Sequence, residues 1–225
     1  MASWMVHLRI ADELLNRIQG LDETIFILGN LAPDSGVPNE DWSAFNPPSH
    51  ISHFKPETGN KSTIEVDRFK GIYLSDEKIK EYSTKELSFF LGYYSHLLTD
   101  VEWAKMVYNL GMTKENAEKL GLRFQDYVWM HKGDWYDLDF LYLEEHPDFR
   151  AFHIYEDAKD LTNTFMDIFP KDAFIDRQKY ICGFYRSDNH GDLHREYTYL
   201  TKERSDRCVD ETVEKIQDKL NEIKR

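Results

Sequence analysis

Apolar positions along the chain fall mainly in helical rows. Trp4, Leu8, Ala11, Leu15 and Ile18 step by four and three residues, which predicts a helix over 3–19. Ser3 suits its N-cap and Gly20 its stop. A second row, His7, Ala11, Leu14 and Ile18, shares most of that face and turns His7 inward. The run 24–31 is apolar and short, and it fits a strand or a short buried helix. From 33 to 63 the chain is rich in Pro, Ser, Asn and Gly and loses its period, which predicts a long loop. Loops of that length in a compact domain are uncommon, and are usually functional or disordered. This one carries Trp42, Phe45, His50, His53 and Phe54, an odd composition for disorder.

The clearest helix is predicted over 84–109. Ser83 and Glu86 form a capping box, and Leu87, Phe90, Leu91, Tyr94, Leu97, Leu98 and Val101 keep helical spacing. Further helices are predicted over 114–145, with Gly121 and Gly133 as candidate breaks, and over 148–168, 172–183 and 203–223. A loop is expected at 187–191. Strand-like alternation is nearly absent, and no repeat or linker stands out. The expectation is an all-α fold in a single domain spanning 1–225.

Charge changes the picture. Lys and Arg number 28 against 41 Asp and Glu, for a formal charge of −13. That argues against binding nucleic acid or anionic lipid through a basic surface of the protein itself. A phosphate substrate held through a metal ion is still compatible with it. Aromatic residues make up 14% of the chain, so large rings need a core and the disordered classes are excluded. Cys182 and Cys208 read as free thiols in a reducing compartment. No apolar leader is visible at the start. The longest uncharged apolar stretch, 87–99, has 13 residues, below the ~20 that a spanning helix needs. A cytoplasmic protein without a transmembrane segment is expected.

Candidate chemistry sits mostly in the first hundred residues. His96 and Asp100 are four apart on one helix and lie on the same face, where both can reach one cation. Gly92, one turn earlier, leaves room for something close to the backbone. His7 faces inward, Asp34 ends an apolar run, and His53 lies in the aromatic-bearing loop. Taken singly, each is more often a core histidine, a turn aspartate or a solvated pair. As a set they offer nitrogen and oxygen ligands without thiolate, which suits catalytic zinc, with manganese or iron as rivals. Five ligands exceed the need of one tetrahedral ion, and an Asp100 shared between two ions would use them all. The Met and aromatic residues of 122–142 read as core. His50, His131, His146, His190 and His194 read as surface.

Four segments resemble the zinc-dependent phospholipase C family, whose fold is shared with zinc-dependent single-strand nucleases. Val6-His7-Leu8-Arg9-Ile10 is similar to its early zinc-binding helix, and Leu31-Ala32-Pro33-Asp34 to the segment of its metal-binding Asp. The stretch from Ser52-His53-Phe54 to Gly59 is similar to its His-Phe loop. Gly92-x3-His96-x3-Asp100 is similar to its Gly-x3-His-x3-Asp helix. The resemblance implies an all-α metallohydrolase of phosphate esters. It implies one ion held by Asp34, His53, His96 and Asp100, with Asp100 bridging to a second ion that His7 helps to hold, and Asp34 as general base.

Three features depart from the family. Secreted members bind a zinc through an N-terminal Trp, whereas this chain starts Met1-Ala2-Ser3, so that contact is not expected. The His that follows the bridging Asp is missing, and Met106 or a neighbour stands there instead. The family's next His-x3-Glu pair has no clean match either, the nearest being His153-x3-Asp157 and the acidic cluster of Asp134, Asp137 and Asp139, so a two-metal site is expected, completed by Asp134 in preference to His153. The expected substrate is a small phosphate ester or lipid headgroup, and Lys55 and Lys61 are weak candidates for phosphate contacts. The rival readings are a nuclease or nucleotide phosphatase, with Trp42, Phe45 and Phe54 available for stacking, and a non-catalytic metal-stabilised binding protein.

Overall fold

The computed structural model describes residues 1–41, 43–58 and 63–223. In chain order its helices are α1 (Trp4–Arg17), α2 (Glu23–Leu31), α3 (Ser49–Ser52), α4 (Val66–Tyr73), α5 (Asp76–Glu81), α6 (Thr84–Asn109), α7 (Lys114–Lys119), α8 (Phe124–Glu145), α9 (Arg150–Asp157), α10 (Ala173–Tyr185) and α11 (Lys202–Ile223). Two strands of two residues each, β1 (Val37–Pro38) and β2 (Phe45–Asn46), pair antiparallel. The fold is all-α, as the helical periods predict. Among the described residues no helix is long and apolar enough to cross a membrane.

Helix α6 is the axis. It is nearly all apolar from Phe89 to Leu98 and is buried over that length. The Ser83 hydroxyl accepts from the Glu86 amide and the Glu86 carboxylate accepts from the Ser83 amide, so the capping box forms. Helix α2 packs along α6 more extensively than any other pair of elements, and two glycines explain how closely. A Cβ on Gly92 would lie 2.2 Å from the Phe26 carbonyl oxygen, and one on Gly29 would lie 2.2 Å from that of Phe89. The two helices therefore meet backbone to backbone, where no larger residue fits. What Gly92 admits is helix α2. Helix α1 packs on α2, α6, α9 and α11 and buries His7 among them.

Several expected elements change on folding. The run 24–31 is helical, with Asp22 as its N-cap. The loop 33–63 contains α3, the small hairpin and a 3-10 turn over Ala32–Asp34, and α4 and α5 follow it without having been anticipated. The expected helix 114–145 breaks at Gly121 (φ +68°) but runs through Gly133. The expected helix 148–168 stops at Asp157. There Ala158 turns extended, Asp160 takes φ +57°, and Gln178 Nε2 donates to the carbonyls of Tyr155 and Ala158. Asn163 Oδ1 then accepts from the amides of Phe165 and Met166. Side chains thus replace the helical hydrogen bonds that this segment would otherwise require.

Candidate metal centre

Five of the six expected ligands come together. Asp34 follows directly from α2, because the 3-10 turn Ala32–Asp34 tightens the helix end and delivers its carboxylate inward. His53 caps α3, and its Nδ1 lies 3.0 Å from the Ser49 carbonyl. Its backbone is held by the Tyr93 hydroxyl, which donates to the Ser52 carbonyl. The next residue, Phe54, takes φ +52°, a conformation that costs a non-glycine residue roughly 1–2 kcal/mol. Its ring is pinned edge-on to Phe69 at 5.0 Å, so packing holds the strained turn that aims His53.

His96 rises from α6 with its Nδ1 2.7 Å from the Asn30 carbonyl of α2. A ring nitrogen against a backbone carbonyl carries the proton, so Nε2 of both His53 and His96 is left as a lone pair. Those two Nε2 atoms face each other at 3.3 Å. His53 Nε2 is 3.2 Å from Asp34 Oδ1 and 3.6 Å from Asp100 Oδ2, and His96 Nε2 is 3.5 Å from Asp100 Oδ2. On the other side of the same carboxylate, His7 Nε2 is 3.5 Å from Oδ1. The His7 and His96 rings stack at 3.8 Å and 5°.

This is a collection of acceptors with too few donors. Both ring nitrogens of His7 and Oδ2 of Asp100 are buried without a hydrogen-bond partner among the described residues. Facing lone pairs repel unless a cation lies between them. Zinc bonds of about 2.0–2.2 Å at tetrahedral angles set ligand atoms roughly 3.3 Å apart, the spacing seen here. The residues fit a metal ion. They form two triads, His7/His96/Asp100 and Asp34/His53/His96. The two oxygens of Asp100 face different sides, as a bridging carboxylate requires.

The electrostatics are set by burial and proximity. Burial, aided by the neighbouring His96, lowers the His7 pKa to about 4, so its ring is neutral and able to ligate at pH 7. Burial also disfavours charge on His96, yet the charges of Asp100 and Asp34 and the Asn30 carbonyl raise it. Asp100 lies well below the usual carboxylate range, against the effect of burial, because the amino terminus, His96 and His7 favour its charge. Asp34 is likewise lowered against burial, chiefly by the His53 ring beside it and by His96. Both carboxylates are ionised and available to a cation.

Asp134 is not brought to this cluster. Its carboxylate pairs with Arg195 at 2.7 Å and accepts from the amides of Tyr199 and Leu200. Its acceptor capacity is filled, so the expectation that it completes the site is corrected. His153 is no substitute, since it is partly exposed and its Nε2 meets the Pro147 carbonyl. His131, expected at the surface, is buried between the rings of Tyr127 and Tyr199. Trp129 and Met130, expected in the core, are exposed.

A cavity opens over the Asp34 and His53 side of the cluster. Asp34, 12% exposed, is the cluster member that reaches it most openly, whereas the other four are at most 1% exposed. Phe45 lines it, while Phe54 is committed to the core. Lys55 is not among the lining residues, and Trp42 and Lys61 lie outside the described residues. Lys132 and Arg177 do line it and were not singled out from the sequence. No local motif marks them, because they stand on α8 and α10, far along the chain from the ligands.

Residues 6–103 match the family model described as zinc dependent phospholipase C. The resemblance of that segment to the zinc-dependent phospholipase C family is thereby shown. All five clustered residues lie inside the matched segment, and Asp134 lies outside it. No curated protein and no solved structure matches the chain.

Proposed function

We propose that the protein is a metal-dependent hydrolase of phosphate esters, a phospholipase C-like enzyme working with two ions, zinc by preference. The carrying observation is the group of three histidines and two carboxylates whose buried acceptors lack donors. Asp34, His53, His96 and Asp100 would hold one ion, and His7 with the second oxygen of Asp100 would hold the other. When bound, the ions neutralise phosphoryl oxygens and lower the pKa of water towards about 7.

The chain's own residues do the rest. Asn30 and Ser49 fix the tautomers of His96 and His53, so both rings present a lone pair from the start. Asp34, ionised and open to the cavity, orients the attacking water and accepts its proton. Trp135, buried at the cavity wall, helps to keep bulk water off the cluster.

The test begins with metal analysis of protein purified without a histidine tag. About one to two equivalents of zinc, manganese or iron are expected, and fewer than about 0.5 would refute the reading. The loaded protein is then assayed on p-nitrophenyl phosphate, bis-p-nitrophenyl phosphate and phosphatidylcholine. Turnover of at least one, lost on chelation, is expected. A protein that holds its metal but turns over none of the three is a metal-stabilised binding protein instead.

A further inference from the structure

The cavity over the metal cluster has two cationic side chains on its wall, Lys132 and Arg177. Arg9, Arg17, Arg150, Arg186 and Arg195 each pair with a carboxylate at 3.1 Å or less. That is expected in a chain of formal charge −13, where acidic partners are plentiful. Arg177 is more buried than any of these, 8% exposed, yet no carboxylate lies within 4.0 Å of it among the described residues. Its Nη2 donates to the Gly36 carbonyl, and its guanidinium lies beside the rings of Trp4 and Tyr180. One backbone carbonyl uses one of five N–H donors.

Lys132 stands on α8 and is half-buried. Its ammonium lies 4.8 Å from the Trp129 ring and also has no carboxylate partner among the described residues. Burial holds its pKa below the usual lysine range, against the opposing charges of Asp34 and Asp100. Among the described lining residues Asp34 is the one acidic group, and it belongs to the metal cluster. A cation held buried or half-buried at a pocket wall without a carboxylate of its own is available to a ligand of opposite sign.

We propose that Lys132 and Arg177 form an anion subsite above the metal cluster, which selects phosphate esters of net negative charge and disfavours zwitterionic choline esters. The inference rests on the hydrolase reading for its substrate, but its binding step does not. Arginine offers a fork that matches phosphate oxygens and lysine a point charge. A quaternary ammonium entering the same space would find aromatic faces, but it would also meet two cations and no carboxylate beyond Asp34.

Two measurements test this on the metal-loaded, untagged protein. Inorganic phosphate is titrated calorimetrically into the wild type and into Lys132→Gln, Lys132→Arg and Arg177→Gln, each with its metal content recorded. Lys132→Gln is expected to weaken phosphate binding about tenfold at unchanged metal content, with Lys132→Arg recovering most of it. Arg177→Gln, if it folds, is expected to lose at least as much, and Lys132 carries the test if it does not. The second measurement is the ratio of kcat/KM for p-nitrophenyl phosphate over p-nitrophenyl phosphorylcholine. It is expected to favour the dianion in the wild type and to fall about tenfold in Lys132→Gln.

Phosphate binding unchanged in Lys132→Gln at full metal content overturns the subsite, and so does a wild-type preference for the choline ester. Lysine-dependent phosphate binding without turnover of either ester upholds the subsite and refutes the hydrolase.

Discussion

Two groups of buried carboxylates lie in this protein, and they have opposite fates. Asp34 and Asp100, against α2 and α6, face histidine nitrogens across 3.2–3.6 Å, and Asp100 Oδ2 has no donor among the described residues. Asp134, Asp137 and Asp139, on α8, are all provided for. Arg195 reaches both Asp134 and Asp137, backbone amides of Gly191, Tyr199 and Leu200 complete them, and Asp139 accepts from the hydroxyls of Ser3 and Tyr185. Burial and residue type are the same in the two groups. The difference is whether the fold itself supplies donors. Where it does, an acidic cluster ties loops to a helix, and where it does not, the cluster calls for a cation.

The sharpest way to break this contrast is to remove a carboxylate from each group. Asp100→Asn is expected to lose most bound metal and more than ~10² in activity, beyond the 10–100-fold typical of outer-shell changes. Elemental analysis and ester hydrolysis check it, and full activity would refute the assignment. Gly92→Ala leaves every ligand in place but pushes a Cβ against the Phe26 carbonyl. It is expected to destabilise by about 3 kcal/mol in urea unfolding, with weaker metal binding as Asn30 moves off His96. Asp134→Ala should instead cost about 2 kcal/mol through the stranded amides of Tyr199 and Leu200 and the lost half of the Arg195 bridge, while leaving metal stoichiometry intact. Loss of metal in that variant would move Asp134 into the first group.

Asp139 refines the comparison, because neutral hydroxyls donate to it and the charge of Arg9, paired with Asp206, is the weakest influence on it. Burial lifts its pKa from 3.8 to about 7. The folded state therefore holds a proton that the unfolded state has released. This contribution to stability is full below pH 4 and is lost as pH rises through 7. The slope is at most ~1.4 kcal/mol per pH unit. Asp139→Asn, a neutral isostere of the protonated carboxyl, is expected to flatten it, so that the wild type's urea midpoint falls relative to the variant's between pH 5 and pH 8. Parallel curves would show that Asp139 stays ionised.

Legibility followed the length scale of the interaction that decides each element. Helix α6 and its capping box are local, and the sequence revealed both. His7, Asp34, His53, His96 and Asp100 could be picked out because each lies in a short segment with its own pattern. The end of α9 could not, because it is decided by Gln178, twenty residues away from Ala158. The role of Asp134 escaped for the same reason. Its spacing on α8 says which face it occupies, but Arg195 and the 199–200 backbone, some sixty residues on, decide that it is already satisfied. Lys132 and Arg177 carry no local mark at all.

The start of α1 has a practical consequence. Ser3 caps that helix and donates to Asp139, the Ala2 amide donates to Asp100 at 2.7 Å, and Met1 lies at the rim of the cavity. Whatever precedes Met1, an affinity tag included, therefore leaves past the mouth of the site. A tag of histidines placed there would bring competing imidazoles within reach of the ions being measured. Placed after α11, it would leave the mouth clear, so the choice of terminus bears directly on every metal count and inhibition constant obtained for this protein.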